Sequence, residues 1–323
     1  MCPDRPESRS ITQRAGNGRS VGAVNVVISG SSGLIGTALV EHLRGQGHTV
    51  VRLVRRSGGL AANEAAWDPA TGTLDPAVID GADAVINLSG AGIGDHRWTD
   101  EYKRELLSSR TLTTGLLART IAAVDRKPSV FLSGSAIGWY GPCGDEVLDE
   151  SATTPGSTFL ADICVQWEQA AGPATDAGVR TALLRTGIVL TPQGGALKKQ
   201  LPLFKLALGG KFAKGSQWQS WISLPDEVGA IEHLLTAPVS GPVNLTAPNP
   251  VTNAEFTKVL GRVLGRPTVL PIPSFGPKLL LGGELADALL FTGQRVVPRA
   301  LQASGYTFQH PTLEVALRAL LGR

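Results

Sequence analysis

The segment Gly30-Ser31-Ser32-Gly33-Leu34-Ile35-Gly36 is the most chemically specific stretch of the sequence. Its three glycines follow Gly-x-x-Gly-x-x-Gly spacing, between an apolar run, Val24–Ile28, and an amphipathic one, Leu34–Gln46. A strand before and a helix after such a turn make an anion cradle. The first glycine permits the tight turn, the second lets backbone approach a pyrophosphate, and the third lets the helix pack closely. The helix N-terminus adds free N–H groups and the positive end of its dipole. Gly30, Ser32, Gly33, Leu34, Ile35 and Gly36 are therefore the expected phosphate site of a dinucleotide. After the next strand, His48–Val54, an NAD site usually carries Asp or Glu for the ribose hydroxyls. Here Arg55-Arg56-Ser57 stands there, so a 2′-phosphate would meet guanidinium groups instead. NADP(H) is the expected cofactor, with Arg55 and Arg56 selecting it. No metal is expected. His42, His48, His96, His233 and His310 are scattered, and Cys2, Cys143 and Cys164 are too widely spaced for a ligand set or a disulfide framework.

The elements that must position these residues alternate. Val24–Ile28 reads as a buried strand, Leu34–Gln46 as a helix with Leu34, Ile35, Ala38, Leu39 and Leu43 on one face, and His48–Val54 as a strand. Ala84–Leu88, Ser129–Ser133 and Val179–Leu190 read as further strands. Between them Glu101–Val124 and Phe159–Ala177 read as helices. Regular alternation of this kind predicts an α/β, Rossmann-type doubly wound parallel sheet, with ligands at the C-terminal ends of its strands. Beyond Pro192 the segments shorten. Val243–Leu245 and Pro267–Pro273 are strand candidates, Asn253–Leu264 a helix capped by Asn253, and Thr312–Leu320 a terminal helix. The expected organisation is a disordered leader over 1–22, an NADP-binding domain over 23–240, and a smaller C-terminal substrate lobe over 241–323. Residues from about 192 to 222 are expected to contribute to that lobe.

Composition bounds the partners. Hydrophobic residues make up 42% and charged residues 18% of the 323, a globular balance that excludes wholesale disorder. The net charge of +3 argues against nucleic acid or an acidic membrane surface as the main partner. No apolar run reaches the ~18 residues of a membrane span. The best candidate, Leu279–Phe291, is interrupted by Gly282, Gly283, Glu284 and Asp287. A cytoplasmic protein, monomer or homodimer, acting on a small molecule is expected.

The glycine turn resembles that of the extended short-chain dehydrogenase/reductase superfamily. Other strings resemble an atypical branch of it, the epimerase-family or nucleoside-diphosphate-sugar-epimerase-like oxidoreductases. They are Trp67-Asp68-Pro69, Asn87-Leu88-Ser89-Gly90, Ser108-Ser109-Arg110, Leu184-Arg185-Thr186-Gly187, Trp221-Ile222, Ala247-Pro248-Asn249-Pro250 and Gly293-Gln294-Arg295-Val296-Val297-Pro298. The resemblance runs from Val24 to about Leu320. It implies that Leu88, Ser89 and Gly90 pass the cofactor ribose and that Glu105 and Arg110 face the cofactor. It further implies that Arg185, in the Arg-Thr-Gly string, belongs to the cofactor site and that Val189 lies by the nicotinamide.

The resemblance also exposes a departure. The superfamily usually carries Tyr-x-x-x-Lys on the helix after its serine strand, where the Lys lowers the Tyr pKa for proton transfer. Aligning Glu168 with the family's helix puts Leu160 and Cys164 at those positions, and neither can do that work. Ser135, where the superfamily keeps its catalytic hydroxyl, and Tyr140 are the remaining candidates for catalysis. Two functions follow: an NADP(H)-dependent oxidoreductase or epimerase acting on a small molecule, or a non-catalytic NADP(H)-binding sensor or scaffold.

Overall fold

The computed structural model describes residues 22–323; the expected leader, Gly22 apart, lies outside them. The chain opens with β1 (Asn25–Ser29), α1 (Leu34–Gly45) and β2 (Thr49–Val54). Next come β3 (Glu64–Asp68), β4 (Thr73–Leu74), β5 (Ala84–Asn87), α2 (Asp100–Ala123) and β6 (Val130–Ala136). After β7 (Val147–Leu148), the helices α3 (Phe159–Gln169) and α4 (Gly172–Asp176) lead to β8 (Arg180–Thr186) and β9 (Ile188–Leu190). The rest comprises α5 (Gly195–Lys205), β10 (Trp218–Gln219), β11 (Trp221–Ser223), α6 (Leu224–Thr236), β12 (Gly241–Leu245), β13 (Val251–Thr252), α7 (Asn253–Leu264), α8 (Phe275–Leu281), β14 (Arg295–Val296) and a terminal helix, Leu313–Leu321. The large sheet runs β12-β8-β6-β5-β1-β2-β3-β4. All its pairings are parallel except β3–β4. The strand order reverses beside β1, which places the glycine turn where such sheets open a crevice.

Both faces of the sheet are covered. Leu39 and Leu43 of α1 pack with Ile28, Ile86, Leu132 and Ile231 on one face. Leu117 and Ile121 of α2 pack with Val27, Val85 and Phe131 on the other. This accounts for the near-continuous apolar strands read from the sequence. A third core, with Leu197, Trp221, Phe256, Leu260 and Leu317, joins α5, α7 and the terminal helix into the smaller lobe.

Several boundaries differ from the sequence reading, each for a local reason. The expected strand Val179–Leu190 splits at Gly187, whose added Cβ would come within 2.5 Å of the Ser220 carbonyl oxygen. The chain leaves the large sheet there, and β9 pairs with β11 instead. The expected helix Phe159–Ala177 breaks before Gly172-Pro173, where α4 begins with the proline in its first turn. The strand at Val243–Leu245 becomes β12, the edge of the large sheet beside β8, so that sheet extends past residue 240. Pro267–Pro273 forms only a single bridge, Phe212 with Ile272, because its prolines lack the N–H groups a ladder needs. The cap of α7 is Thr252, which forms a reciprocal pair with Glu255. Asn253 instead accepts from the Phe212 N–H at 2.8 Å.

Candidate functional site

Beyond the C-terminal ends of β1, β2 and β5 lies a cleft of about 820 Å³. Its floor is the glycine turn, and the three glycines answer to different demands. Gly30 has φ +71°, and an added Cβ would come within 2.5 Å of the Leu88 carbonyl. At Gly36 a Cβ would lie 2.2 Å from the Gly30 carbonyl oxygen. These two glycines are required by the protein's own backbone. Gly36 thus lets α1 pack closely, against the turn itself. Gly33, the N-cap of α1, has φ −74°, and its Cβ would meet only the Gly30 carbonyl oxygen, at 3.3 Å. Neither backbone conformation nor packing demands glycine there. The open side faces the cleft, where a Cβ would fill space that a phosphate can use.

The walls are held by a buried polar chain. Ser29 Oγ donates to Asn87 Oδ1 at 2.6 Å, and Asn87 Nδ2 donates to Thr114 Oγ1 at 2.7 Å. Asn87 Oδ1 also accepts the Ser89 N–H at 3.1 Å. The ends of β1 and β5 are tied together in this way, and the Leu88-Ser89-Gly90 turn is fixed over the cleft. The opposite wall carries Arg55 and Arg56 from the end of β2, with Trp67, Asp68 and Pro69 from β3 and beyond. Glu64 takes hydrogen bonds from both Arg52 and Arg56. The Ala61 N–H and these arginines hold its carboxyl below the usual range. Arg55 has no acidic partner within ion-pair distance among the described residues, so it is the free cation of the pair.

The expected cofactor residues divide accordingly. Gly30, Ser32, Gly33, Arg55, Arg56, Leu88, Ser89, Gly90 and Glu105 line the cleft. Gly36 supports it from behind. Leu34 points to Gly194, Ile35 packs on the sheet core, and Val189 packs against the same core. Arg110 is buried and donates to the Leu106 and Ala91 carbonyls at 2.8 and 2.9 Å. It lies over the Trp167 ring, 5.1 Å from the centroid. It shapes the loop at the cleft's rim from behind. Ser108, Ser109, Leu112 and Thr113 of α2 also line the cleft, although the sequence assigns none of them to the cofactor and marks Ser108 and Ser109 only within a resemblance string. They recur on the α2 face that carries Glu105, which is the periodic signal that marks them.

The two catalytic candidates sit in a different place. Ser135 is 4% exposed, and its hydroxyl donates to Glu168 Oε1 at 2.6 Å. Arg185 grips the same carboxylate with Nε at 2.8 Å and a second nitrogen at 2.9 Å. The Arg185 guanidinium stacks 3.6 Å from the Trp139 ring centroid. Tyr140 is 3% exposed, and its hydroxyl donates to Asn244 Oδ1 at 2.8 Å. Burial raises its pKa. Ser135, Tyr140 and Arg185 thus form one buried knot joining β6, α3, β8 and β12, and none of them lines the cleft. Asp162 is exposed and accepts from Gln166 at 2.9 Å.

A second cavity, of about 200 Å³, lies beside the turn after β6. Gly138, Phe159, Leu160 and Trp98 line one side, and Glu284, Asp287 and Thr292 of the lobe line the other. Leu160 occupies its wall. Cys164 lies buried behind, its Sγ 3.7 Å from where a Gly138 Cβ would stand, and burial pushes its thiol up to about 12. The positions of the usual Tyr–Lys pair are therefore apolar and carry no group that titrates near neutrality.

This geometry has relatives. The model of the NAD dependent epimerase/dehydratase family matches residues 26–246, and a domain of unknown function (DUF1731) matches residues 272–320. An epimerase family protein of Mycobacterium tuberculosis is 45% identical, over 90% of this chain and 96% of its own. The crystal structure of human epimerase family protein SDR39U1 with NADPH superposes with a TM-score of 0.84 at 34% identity, over 92% of this chain and 99% of that one. A nucleoside-diphosphate sugar epimerase from Corynebacterium glutamicum superposes with a TM-score of 0.74 at 36% identity, over 93% of this chain but only 59% of its own. The large parallel sheet with its flanking helices is the Rossmann-like fold of these structures. With the family model covering the strands and turns that build the cleft, and these relatives matching nearly the whole chain, the protein belongs to the NAD-dependent epimerase/dehydratase family.

Proposed function

We propose that this protein binds NADP(H) in the 820 Å³ cleft and acts as an oxidoreductase or epimerase on a small molecule held in the second cavity. The observation that carries the reading is Gly33, a glycine that no protein atom requires, at a helix N-terminus that faces the cleft. The human relative's crystal structure with NADPH supports it. The turn from Gly30 to Gly33 would hold the pyrophosphate, Leu88 to Gly90 would flank the ribose, and Arg55 would take the 2′-phosphate. Bound there, the cofactor supplies hydride transfer. The chain's own contribution is orientation and exclusion of water. Its wall at Leu160, with Cys164 buried behind it, leaves proton transfer to the substrate or to water. A monomer or homodimer in a reducing, cytoplasmic setting fits the free thiols Cys143 and Cys164.

The second reading, a non-catalytic NADP(H) sensor, is favoured by one observation. Ser135 and Tyr140 are committed to Glu168 and Asn244, away from the cleft. The experiment has two stages. Fluorescence titration compares NADPH with NADH, and equal affinity removes the 2′-phosphate argument. A screen of carbonyl compounds and nucleotide sugars then follows NADPH absorbance and sugar isomer exchange. Tight NADPH binding with no turnover selects the sensor.

A further inference from the structure

The net charge of +3 conceals a segregation that the fold turns into a surface. From Thr191 to Pro225 the sequence carries Lys198, Lys199, Lys205, Lys211 and Lys214 and no carboxylate. From Phe256 to Gly283 it carries Lys258, Arg262, Arg266 and Lys278, again with no carboxylate, although Arg262 pairs with Glu314 at 2.9 Å and Lys278 with Asp287 at 2.8 Å. The two stretches meet in space. The Ile272 N–H donates to the Lys211 carbonyl at 2.8 Å, and the Ala213 N–H donates to the Ile272 carbonyl at 3.0 Å. The Phe212 and Phe291 rings meet edge to face at 6.1 Å, with Lys278 Nζ 5.8 Å from the latter's centroid. The five lysines of the first stretch are exposed, and none forms an ion pair among the described residues.

The same surface exposes large apolar side chains that a solvated face would not carry. Leu206 is 69%, Val269 84%, Phe275 73%, Leu279 78% and Leu280 74% exposed, and Leu208 is exposed beside them. Scattered single apolar residues need no explanation, but a contiguous set does. A second copy of the chain docking face to face would set these unpaired lysines against themselves, which like charge opposes. Leucines and a phenylalanine between lysines match the chemistry of an anionic lipid interface. There the apolar groups enter the acyl boundary and the ammonium groups meet headgroup phosphates.

We propose that the face built by residues 203–214 and 269–281 docks peripherally on an anionic membrane surface. No described helix is long and apolar enough to cross a membrane; the contact proposed is interfacial. The Arg97 guanidinium donates to the Leu279 and Leu280 carbonyls at 2.7 and 3.0 Å, and Asp287 and Thr292 line the second cavity. Docking would therefore set the lipid beside the wall of that cavity.

Co-sedimentation of the full chain with vesicles tests this. Phosphatidylcholine vesicles containing phosphatidylglycerol should carry the protein down, vesicles of phosphatidylcholine alone should not, and added salt should release it. Leu279→Asp with Leu280→Asp should weaken binding at least tenfold without changing the melting temperature. Lys205→Ala and Lys211→Ala should each weaken it about fivefold, the equivalent of ~1 kcal/mol per lysine near an anionic surface. Equal sedimentation with both vesicle types, or with neither, overturns the proposal. So does a wild-type dimer in analytical ultracentrifugation that Leu279→Asp with Leu280→Asp converts to monomer, which would assign the face to a second copy.

Discussion

Replacing Gly33 by alanine separates what the fold needs from what a ligand needs. Gly33 sits at the N-cap of α1 with φ −74° and ψ 175°, a conformation open to any residue. The new methyl would meet only the Gly30 carbonyl oxygen, at 3.3 Å, a contact relieved by a shift of a few tenths of an ångström. Exchanging glycine for alanine at an N-cap costs no more than ~1 kcal/mol. Stability should therefore fall by about that much. Binding should fall much further. The methyl takes the space in which a pyrophosphate approaches the turn, and each charge-assisted hydrogen bond lost there is worth ~1.5–3 kcal/mol. Loss of one or two such bonds weakens NADPH at least ~10-fold. Gly36→Ala is the control with the opposite signature. Its Cβ would stand 2.2 Å from the Gly30 carbonyl oxygen, so the turn must distort, and unfolding should move first. Urea denaturation and NADPH fluorescence titration on both variants read the two quantities apart. A Gly33→Ala protein that keeps wild-type affinity for NADPH would refute the reasoning and place the dinucleotide elsewhere.

Three further outcomes follow from the same geometry. Arg55→Ala should lower NADPH affinity ~10-fold or more and leave NADH nearly unchanged, whereas Arg56→Ala, whose guanidinium is already held by Glu64, should have the smaller effect; a reversed ranking in the two titrations counts against the assignment. Ser135→Ala should leave NADPH affinity intact but destabilise the fold by ~1–3 kcal/mol, because it withdraws a donor from the buried Glu168 carboxylate; an unchanged urea midpoint would show that the hydroxyl is not structural. Glu227 is fully buried, with Thr186 its one donor among the described residues, at 2.9 Å, and burial raises its carboxyl from 4.5 to about 8; the folded state keeps a proton that the unfolded chain releases, so this group's contribution is full below pH 4.5 and falls by about 1.4 kcal/mol per unit up to about pH 8. Glu227→Gln should flatten that slope in unfolding measurements across pH, and an unaltered slope would show that Glu227 is ionised in the fold.

The cofactor cleft is legible in the sequence because its determinants are contiguous. The turn 30–36 and the pair Arg55-Arg56 each lie at a strand end, and strand ends follow from short-range apolar periodicity. Other features depend on segments far apart in sequence. Glu64 reaches Arg56 from the neighbouring strand, so only strand pairing decides that Arg55 is the free cation. Strand order makes Ser135 a catalytic candidate, yet side chains alternate along β6, and this one faces Glu168 of α3, a carboxylate that Arg185 of β8 also holds. No local pattern distinguishes a hydroxyl facing a cleft from one facing a buried carboxylate. The split at Gly187 likewise depends on the Ser220 carbonyl, a contact between residues with no local relation. The sequence by itself determined the alternating elements, the phosphate turn and the absence of Tyr-x-x-x-Lys, since each is read within one helix or turn. Only the tertiary fold settles which arginine is free, which hydroxyls are spent on the core, and where Lys205, Lys211, Lys214 and Lys278 meet a set of leucines on one face, since each rests on which side of a distant element a side chain falls.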